Sequence, residues 1–296
     1  MNYLVTGGTG FIGSALVEQL LQNGNCVTIL SRNKNPNSKA RTICSLLEIG
    51  LDEKIDYVIN LAGEPIAAKK WSQKQKAILL SNRLEITKQL VELIAKLQHK
   101  PLALISASAI GFYGSGGDEK LNENSPHKTE FTHQLCSAWE AQALEAEALN
   151  VRTCIIRLGI VLEKNGGALA KMLPAFKLGL GGKIASGKQF MSWVHREDVL
   201  RAIGFLINNP KLSGVFNVTS PNPVSNFEFS KTLAKTLRRP AFFDLPNFAV
   251  KILFGEMGEA LLASGQRVLP ENLLGAGFEF RFKKLEDALR DICKKC

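Results

Sequence analysis

Residues 6–13 read TGGTGFIG and place Gly7, Gly10 and Gly13 at intervals of three residues. An apolar run from Tyr3 to Thr6 leads into this loop, and helical periodicity from Ile12 to Asn23 follows it. A strand, a glycine loop and a helix in this order are typical of the turn that binds the pyrophosphate of a dinucleotide. The residues predicted to contact the dinucleotide here are Gly7, Thr9, Gly10, Phe11, Ile12 and Gly13.

The end of the second predicted strand, Cys26 to Ser31, indicates which dinucleotide fits. An NAD site usually has Asp or Glu at this place to accept hydrogen bonds from the ribose hydroxyls, whereas this chain has Ser31 followed by Arg32. A guanidinium can make a two-pronged contact with the 2′-phosphate of NADP, and the serine hydroxyl can add a donor. We therefore predict NADP(H) as the cofactor. The alternatives are a solvated surface arginine and a glycine-rich turn that holds no ligand.

The alternation of strands and helices continues through the first two thirds of the chain. Further strands are predicted at Asp56 to Leu61, Leu102 to Ala107 and Val151 to Leu162. Amphipathic helices are predicted near Ser72 to Leu97 and Phe131 to Leu149. This order predicts an α/β fold with a doubly wound parallel sheet, the Rossmann fold.

The alternation breaks after Asn165, where glycine pairs and Pro174 interrupt it. A returning strand is predicted at Gly214 to Thr219, and the segment beyond it is mostly helical. We predict two domains. They are an NADP-binding Rossmann domain of residues 1–163 with 191–220, and a smaller, mainly helical C-terminal substrate lobe of residues 164–190 with 221–296.

Composition and charge argue against several classes of protein. The 296 residues include six scattered cysteines and no run of about 18 apolar residues, so we expect a cytoplasmic protein without a signal peptide or a membrane span. The net charge of +10 is spread among acidic residues, which indicates a solvated surface rather than a nucleic-acid site. We expect no metal site, because no cluster has ligand spacing. The pair Cys293 and Cys296 is interpreted as an incidental feature of the tail.

Several longer stretches resemble one branch of the extended short-chain dehydrogenases/reductases, the atypical nucleoside-diphosphate-sugar epimerase-like proteins, some of which are called cell-division inhibitors. The stretches are NLAGEPIA at 60–67, SNRLEIT at 81–87, SASAIGFYG at 106–114, GLGGKIASGKQFMSWVHREDV at 179–199 and GQRVLPENLLGAGFEF at 265–280. The resemblance spans nearly the whole chain. It implies a cofactor site that includes Leu61, Ala62, Gly63, Glu64, Arg83 and Ser106. A solvent-facing carboxylate is the alternative for Glu64.

The standard chemistry of this family is altered in the chain. Members that transfer hydride use a Ser, a Tyr and a Lys four residues after the Tyr, and the Lys lowers the pKa of the Tyr. At the matching helix positions this chain has Thr132 and Cys136. Neither replaces the pair near neutral pH, because a threonine hydroxyl is far too weak an acid and a thiol lacks a fixed positive charge. Arg83 also stands where an Asn normally supports the proton relay.

Three residues are candidate catalytic groups. Ser108 occupies the serine position and could hydrogen-bond a substrate oxygen, with a strand-end serine that caps local backbone as the alternative. Tyr113 follows in a Tyr-Gly turn and is a substitute proton donor, with packing as the alternative. His195 is one of four histidines, and imidazole is the usual acid-base group near neutral pH. Its alternative is a structural hydrogen-bonding role.

Two functions fit these observations. The first is an NADP(H)-binding, epimerase-like oxidoreductase that acts on an unidentified small molecule beneath the C-terminal lobe. The second is a non-catalytic NADP(H)-binding sensor or regulatory protein. The missing Tyr and Lys favour the second, whereas the motif at 179–199 favours a retained small-molecule pocket. We expect a monomer or homodimer that binds neither nucleic acid nor a membrane.

Overall fold

We describe residues 1–34 and 38–294 of the protein in a computed structural model. The strands are β1 Asn2–Thr6, β2 Cys26–Leu30, β3 Arg41–Ile43, β4 Tyr57–Asn60, β5 Ala103–Ala109, β6 Lys120–Leu121, β7 Arg152–Leu158, β8 Ile160–Glu163, β9 Phe190–Met191, β10 Trp193–His195, β11 Gly214–Val218, β12 Val224–Ser225 and β13 Arg267–Val268. The α-helices are α1 Gly13–Gln22, α2 Gln73–Lys96, α3 Phe131–Leu144, α4 Gly167–Lys177, α5 Arg196–Asn208, α6 Asn226–Leu237, α7 Asn247–Gly258, α8 Glu271–Gly275 and α9 Leu285–Lys294.

The central sheet has seven parallel strands in the order β11-β7-β5-β4-β1-β2-β3. The first strand pairs in parallel with β2 on one side and with β4 on the other, so the strand order reverses beside β1. This arrangement confirms the predicted α/β class and the doubly wound parallel sheet. In such sheets ligands bind at the carboxyl ends of the strands near the point of reversal, and the loop at residues 6–13 starts there.

Helices cover both faces of the central sheet, which explains its continuous apolar strands. Successive strand residues point to opposite faces, and each face has its own buried cluster. Val5 and Ile59 pack in the cluster that includes residues of α1 and α5. Leu4 and Val58 pack in the cluster that includes residues of α2. The sheet is therefore fixed from both sides, and its strand ends are held in register.

Two predicted elements differ from the observed ones. The run Val151 to Leu162 forms two strands, because the chain leaves the central sheet at Gly159 and continues as β8, which pairs with β10. A side chain at Gly159 would overlap the backbone oxygen of Ser192, so only glycine lets the two segments pass. The helix predicted over Phe131 to Leu149 is α-helical to Leu144, and its last five residues form a 3₁₀ turn.

The C-terminal part is mainly helical, as predicted. Residues of α4, α6 and α9 pack around the buried side chains of Trp193 and Phe229. None of the helices within residues 1–34 and 38–294 is long and apolar enough to cross a membrane. The described residues also contain no group of three His, Cys, Asp or Glu that could hold a metal ion. Cys296, the second cysteine of the tail pair, lies outside the described residues.

Candidate functional site

The glycine loop turns sharply between β1 and α1. Gly7 has φ +67°, and a Cβ there would lie 2.6 Å from the backbone oxygen of Leu61. A Cβ at Gly13 would overlap the backbone oxygen of Gly7. The amide of Gly10 donates to the same oxygen at 2.9 Å, and Thr9 and Gly10 are exposed at the tip of the loop. The loop can therefore adopt this path only with glycine at both ends, and its tip is open to a ligand.

The start of α1 faces this loop. Its N-cap residue, Ile12, makes no side-chain capping hydrogen bond within the described chain, and no acidic residue lies in the first turn. Uncapped amides and the helix dipole favour an anion at such an end. The ring of Phe11 lies against Gly166, where any side chain would overlap it, and 5.6 Å from the guanidinium of Arg196. The loop is thus fixed from outside, and its residues fit a pyrophosphate.

Ser31 and Arg32 lie at the same edge as the loop. Thr6 and Leu30 are register partners in the parallel pair β1 and β2, so Gly7 and Ser31 follow at equivalent positions. Ser31 is half-buried and Arg32 is exposed. Arg32 therefore follows the strand next to β1 by two residues, on the side where the adenosine part of a dinucleotide lies in a Rossmann fold.

The turn after β4 is supported by a buried arginine. The guanidinium of Arg83 donates to the backbone oxygens of Leu79 at 2.9 Å and Glu64 at 2.8 Å, and lies 5.1 Å from the ring of Trp139. A Cβ at Gly63 would lie 3.1 Å from that guanidinium. Burial lowers the pKa of Arg83. Because its donors bind backbone, Arg83 holds the shape of the turn at residues 61–64.

A polar network that the sequence analysis missed links the strand ends beneath this turn. Asn60 donates to the hydroxyls of Thr87 at 2.9 Å and Ser106 at 3.2 Å, and it accepts from Thr6 at 2.7 Å. The hydroxyl of Thr6 in turn accepts the amide of Ala62 at 3.2 Å. Ser106 is therefore buried within a network that fixes β1, β4 and β5 together. The available signal was a polar residue at the end of two apolar strands, Thr6 in β1 and Asn60 in β4.

Ser108 lies near the carboxyl end of β5, beside a buried ion pair. Its hydroxyl donates to Oε1 of Glu140 at 2.5 Å. Arg157 donates to both oxygens of the same carboxylate, from Nε to Oε1 at 2.9 Å and from Nη2 to Oε2 at 2.8 Å. Because the proton of Ser108 is used by Glu140, the oxygen of Ser108 can act toward a ligand only as an acceptor. Sequence analysis did not identify Glu140 or Arg157.

Tyr113 belongs to the same network. Its hydroxyl donates to Oδ1 of Asn217 at 2.7 Å and accepts from Nη1 of Arg157 at 3.0 Å. The Arg157 guanidinium also stacks on the ring of Phe112, 3.4 Å from its centroid. Burial raises the pKa of Tyr113, and the neighbouring Arg157 acts in the opposite direction. The tyrosine is therefore fixed between β7 and β11.

The two positions that match the usual Tyr and Lys lie buried on α3. Burial raises the pKa of the Cys136 thiol to about 11, and the charge of Glu140 adds to this effect. Arg83 and hydrogen bonds with Ser108 and Ala109 lower it by less. The thiol is therefore protonated at neutral pH. The chain contains no Tyr followed four residues later by Lys, because Gly7, Leu61 and Gly117 follow its three tyrosines at that spacing.

His195 lies where β10 meets α5. Its Nδ1 accepts the amide of Glu197 at 3.1 Å and caps the helix, and its ring stacks on Phe282 with centroids 4.0 Å apart. Its Nε2 lies 3.5 Å from Oδ2 of Asp291. Burial lowers the pKa of His195. These contacts match the structural alternative for this histidine, and a catalytic role for it stays a prediction.

Two of the cavities on the described surface contain residues that the sequence analysis singled out. One of about 290 Å³ is lined by Trp71, Glu130, Phe131, Thr132, Glu256, Glu259, Ala260 and Ser264. The other, of about 370 Å³, lies at the motif of residues 179–199 and is lined by Asp118, Lys183, Ser186, Gly187, Lys188, Phe190, Ser225 and Phe227. The first one, which we call the Trp71 cavity, contains the position of the usual catalytic tyrosine, Thr132.

Comparison with known proteins gives two family matches. The family model of NAD dependent epimerase/dehydratase proteins matches residues 3–219. A second model, the domain of unknown function DUF1731, matches residues 245–292. Together these matches span most of the chain.

Individual relatives match over almost the entire chain. The Epimerase family protein SDR39U1 homolog, chloroplastic, of Arabidopsis thaliana is 38% identical over 303 residues, which cover 99% of this chain and 86% of the plant protein. The Epimerase family protein YfhF of Bacillus subtilis is 38% identical over 299 residues, which cover 99% of this chain and 98% of that protein. The crystal structure of human epimerase family protein SDR39U1 (isoform2) with NADPH has a TM-score of 0.92 at 34% identity, and the match covers 100% of both chains.

Proposed function

This chain belongs to the NAD dependent epimerase/dehydratase family, and on that premise we propose that it is an NADP(H)-dependent oxidoreductase that acts on a small molecule. The observation that carries the proposal is the turn from Gly7 to Gly13, which only glycine can make and which opens onto the start of α1. Arg32 at the end of the neighbouring strand supports NADP(H) over NAD(H). The human relative, crystallised with NADPH, supports the same cofactor.

Each part of the site has a role in this proposal. The loop amides and the start of α1 hold the pyrophosphate, and Arg32 with Ser31 holds the 2′-phosphate. The turn at residues 61–64 lines the cofactor, with Arg83 behind it as a positioning residue. NADP(H), when bound, supplies or accepts the hydride. Ser106 keeps the strand ends in register through Asn60.

We propose that Ser108 supports the substrate site from behind, because its side chain is buried and does not line the Trp71 cavity. It lies near the carboxyl end of β5, and Glu140 and Arg157 fix its hydroxyl. Since its proton goes to Glu140, Ser108 acts in this proposal as a positioning residue. Tyr113 and His195 hold buried hydrogen bonds, and their catalytic roles stay predictions.

A second candidate function is a non-catalytic NADP(H)-binding sensor. The observation that favours it is the lack of a Tyr-x-x-x-Lys pair, together with the use of the Ser108 and Tyr113 hydroxyls in buried bonds. Both functions require the same cofactor site. They differ in whether bound NADPH is consumed.

Calorimetry and a substrate screen together test these functions. We expect NADPH to bind at least about tenfold more tightly than NADH, which corresponds to 1.4 kcal/mol. NADH binding as tight as NADPH would overturn the cofactor assignment. Oxidation of NADPH is then followed with a panel of carbonyls, enones and nucleotide sugars, which includes carbonyls that carry an amine, and reduction of NADP+ is followed with primary amines. Folded protein that binds NADPH but consumes none across the panel would favour the sensor.

We also propose that the protein resides in a reducing compartment, the cytoplasm. We propose further that it is a monomer or homodimer and that it binds no nucleic acid. Cys26, Cys44, Cys136 and Cys154 are free thiols, which supports such a compartment. Light scattering at several protein concentrations measures the oligomeric state. A larger assembly would contradict this part of the proposal.

A further inference from the structure

The Trp71 cavity lies between the start of α3 and the segment that follows α7. Its volume of about 290 Å³ is near the lower end for small-molecule sites, which are typically about 300–1,000 Å³. Trp71 and Phe131 form an apolar wall and meet edge to face, with ring centroids 4.9 Å apart. The cavity therefore accommodates a body about the size of one ring rather than an extended nucleotide.

Carboxylates surround the opening of this cavity. Glu256 forms an ion pair with Lys76 at 2.6 Å, and Glu259 forms one with Lys251 at 3.3 Å. Glu130 differs from both, because no Lys or Arg among residues 1–34 and 38–294 lies within ion-pair distance of it. Its Oε1 accepts only neutral donors, the amide and the hydroxyl of Ser115. Among the described residues, the Glu130 carboxylate therefore has neutral hydrogen-bond donors and no ion-pair partner.

The aromatic wall also favours a positively charged ligand. Aromatic ring faces attract cations, and Nζ of Lys76 already lies 5.1 Å from the centroid of Phe131. The indole N–H of Trp71 donates to the backbone oxygen of Ile66 at 3.0 Å, so this ring is held in place. A cation in the cavity would lie beside Glu130 and the aromatic wall, in which Trp71 has no Lys or Arg over its ring among the described residues.

Thr132 provides an independent sign that a ligand completes the site. It lines the cavity and is only 5% exposed, yet its Oγ1 has no hydrogen-bond partner within the described part of the chain. A buried hydroxyl without a partner is destabilising, because it loses its hydrogen bonds to water and gains none. A ligand with an N–H or O–H group would satisfy this oxygen. The unsatisfied group lies at the family's tyrosine position, which is the place for a reacting substrate.

We propose that the Trp71 cavity binds a small cationic ligand, a ring-sized body that carries a protonated amine. The ammonium pairs with Glu130, the body packs on Trp71 and Phe131, and Thr132 accepts a hydrogen bond from the ligand. This inference rests on the proposed function, because it assigns the cavity to the substrate of that enzyme. It sets the substrate class as amines and disfavours phosphate-bearing molecules, which the carboxylates repel.

Three probes of one shape and different charge test this assignment. Benzylamine is positively charged at neutral pH, benzyl alcohol is neutral and benzoate is negatively charged. Binding to the full chain is measured by saturation-transfer NMR and calorimetry, with and without NADPH. We expect benzylamine to bind at least about tenfold more tightly than benzoate, with benzyl alcohol between them. Benzoate binding as tight as benzylamine, or no benzylamine binding at millimolar concentration, overturns the proposal.

Binding to two variants then tests whether benzylamine occupies the Trp71 cavity. Glu130→Gln should weaken benzylamine about tenfold and leave benzyl alcohol unchanged, while Glu92→Gln, at an exposed carboxylate of α2, should change neither. Circular dichroism and NADPH affinity show that both variants are folded. Unchanged benzylamine binding in Glu130→Gln would refute the assigned site. NADPH titrations are separate, so failure to bind NADPH would refute the proposed function without changing the probe result.

Discussion

Arg157 holds the carboxylate of Glu140 with two parallel hydrogen bonds, and both side chains are buried in the interior of the protein. A guanidinium and a carboxylate in this geometry satisfy each other's charge and most of each other's hydrogen bonds. The pair connects α3 to β7, and Ser108 and Tyr113 bind to its two ends. The position of Ser108 therefore depends on a residue of a different strand.

Removal of one partner of this pair should destabilise the fold. Arg157→Met keeps most of the volume but leaves the Glu140 carboxylate buried without a cation, so the free energy of unfolding should fall by about 3–5 kcal/mol. Urea denaturation measures the change. Arg290→Met breaks an exposed ion pair on α9 and should change stability little. The double variant Arg157→Met with Glu140→Leu should regain most of the loss, and an equal loss in the double variant would contradict this account.

The glycine loop gives a prediction for both stability and binding. A methyl group at Gly13 would overlap the backbone oxygen of Gly7, so Gly13→Ala should lower the free energy of unfolding by about 1–3 kcal/mol and abolish NADPH binding. Gly204 lies inside α5, and a Cβ there would meet no atom of the described chain within 4 Å. Gly204→Ala should therefore stabilise the protein by about 0.5–1 kcal/mol. Thermal denaturation compares the stability of the two variants, and calorimetry compares their affinity for NADPH. Normal NADPH affinity in Gly13→Ala would argue against the proposal that this loop binds the cofactor.

Cofactor preference should depend on Arg32. Arg32→Ala removes the guanidinium that is assigned to the 2′-phosphate, so NADPH should bind about tenfold more weakly while NADH affinity stays the same. Arg239→Ala removes an exposed arginine beyond α6 and serves as the control. Calorimetry with both dinucleotides measures the ratio. If NADPH and NADH binding weakened equally, Arg32 would support the fold rather than bind the 2′-phosphate.

The buried Cys136 thiol predicts a decline of stability at alkaline pH. Its pKa of about 11 in the folded protein exceeds the ordinary value of 9.0, so the unfolded chain loses this proton first as pH rises. The contribution of this thiol to the free energy of unfolding is fully present below about pH 9. It is lost as the pH rises toward 11, by up to about 1.4 kcal/mol per pH unit. Urea denaturation across this range should show a shallower decline in Cys136→Ala.

A labelling experiment checks the same group. Iodoacetamide at neutral pH should modify the exposed thiols of Cys26 and Cys44 well before Cys136, because the thiolate is the reactive form. Mass spectrometry of the digested protein measures the order. Early modification of Cys136 in the folded protein would mean that the charge of Arg83, rather than burial, determines the pKa of this thiol.

Local signals sufficed for the fold and the glycine loop. A strand, three spaced glycines and a helix lie next to one another in the chain, so residues 3–23 alone carry the pattern. The parallel sheet then places Gly7 and Ser31 at one edge without further assumptions, because β1 and β2 pair in register. The sequence also predicts the mainly helical character of the C-terminal segment, but not the bounds of its helices.

Long-range polar pairs could not be predicted in the same way. Glu140 and Arg157 are separated by 17 residues, and Tyr113 and Asn217 by 104, and each of these side chains is also compatible with a surface position. The split at Gly159 was hidden because apolar residues continue on both sides of the glycine. The Trp71 cavity needed residues from α3, α7 and the loop before α2, which only the folded chain brings together.

The crossing at Gly159 has a mechanical consequence. One extended stretch serves the large sheet as β7 and the small sheet as β8, with no hinge loop between them. Arg157 lies two residues before the crossing, so the same extended stretch that pairs with β10 also positions the buried ion pair of Arg157 with Glu140. The Ser108 hydroxyl, which binds Glu140, is therefore joined to the β8–β10 pair through one ion pair and one unbroken extended stretch of backbone.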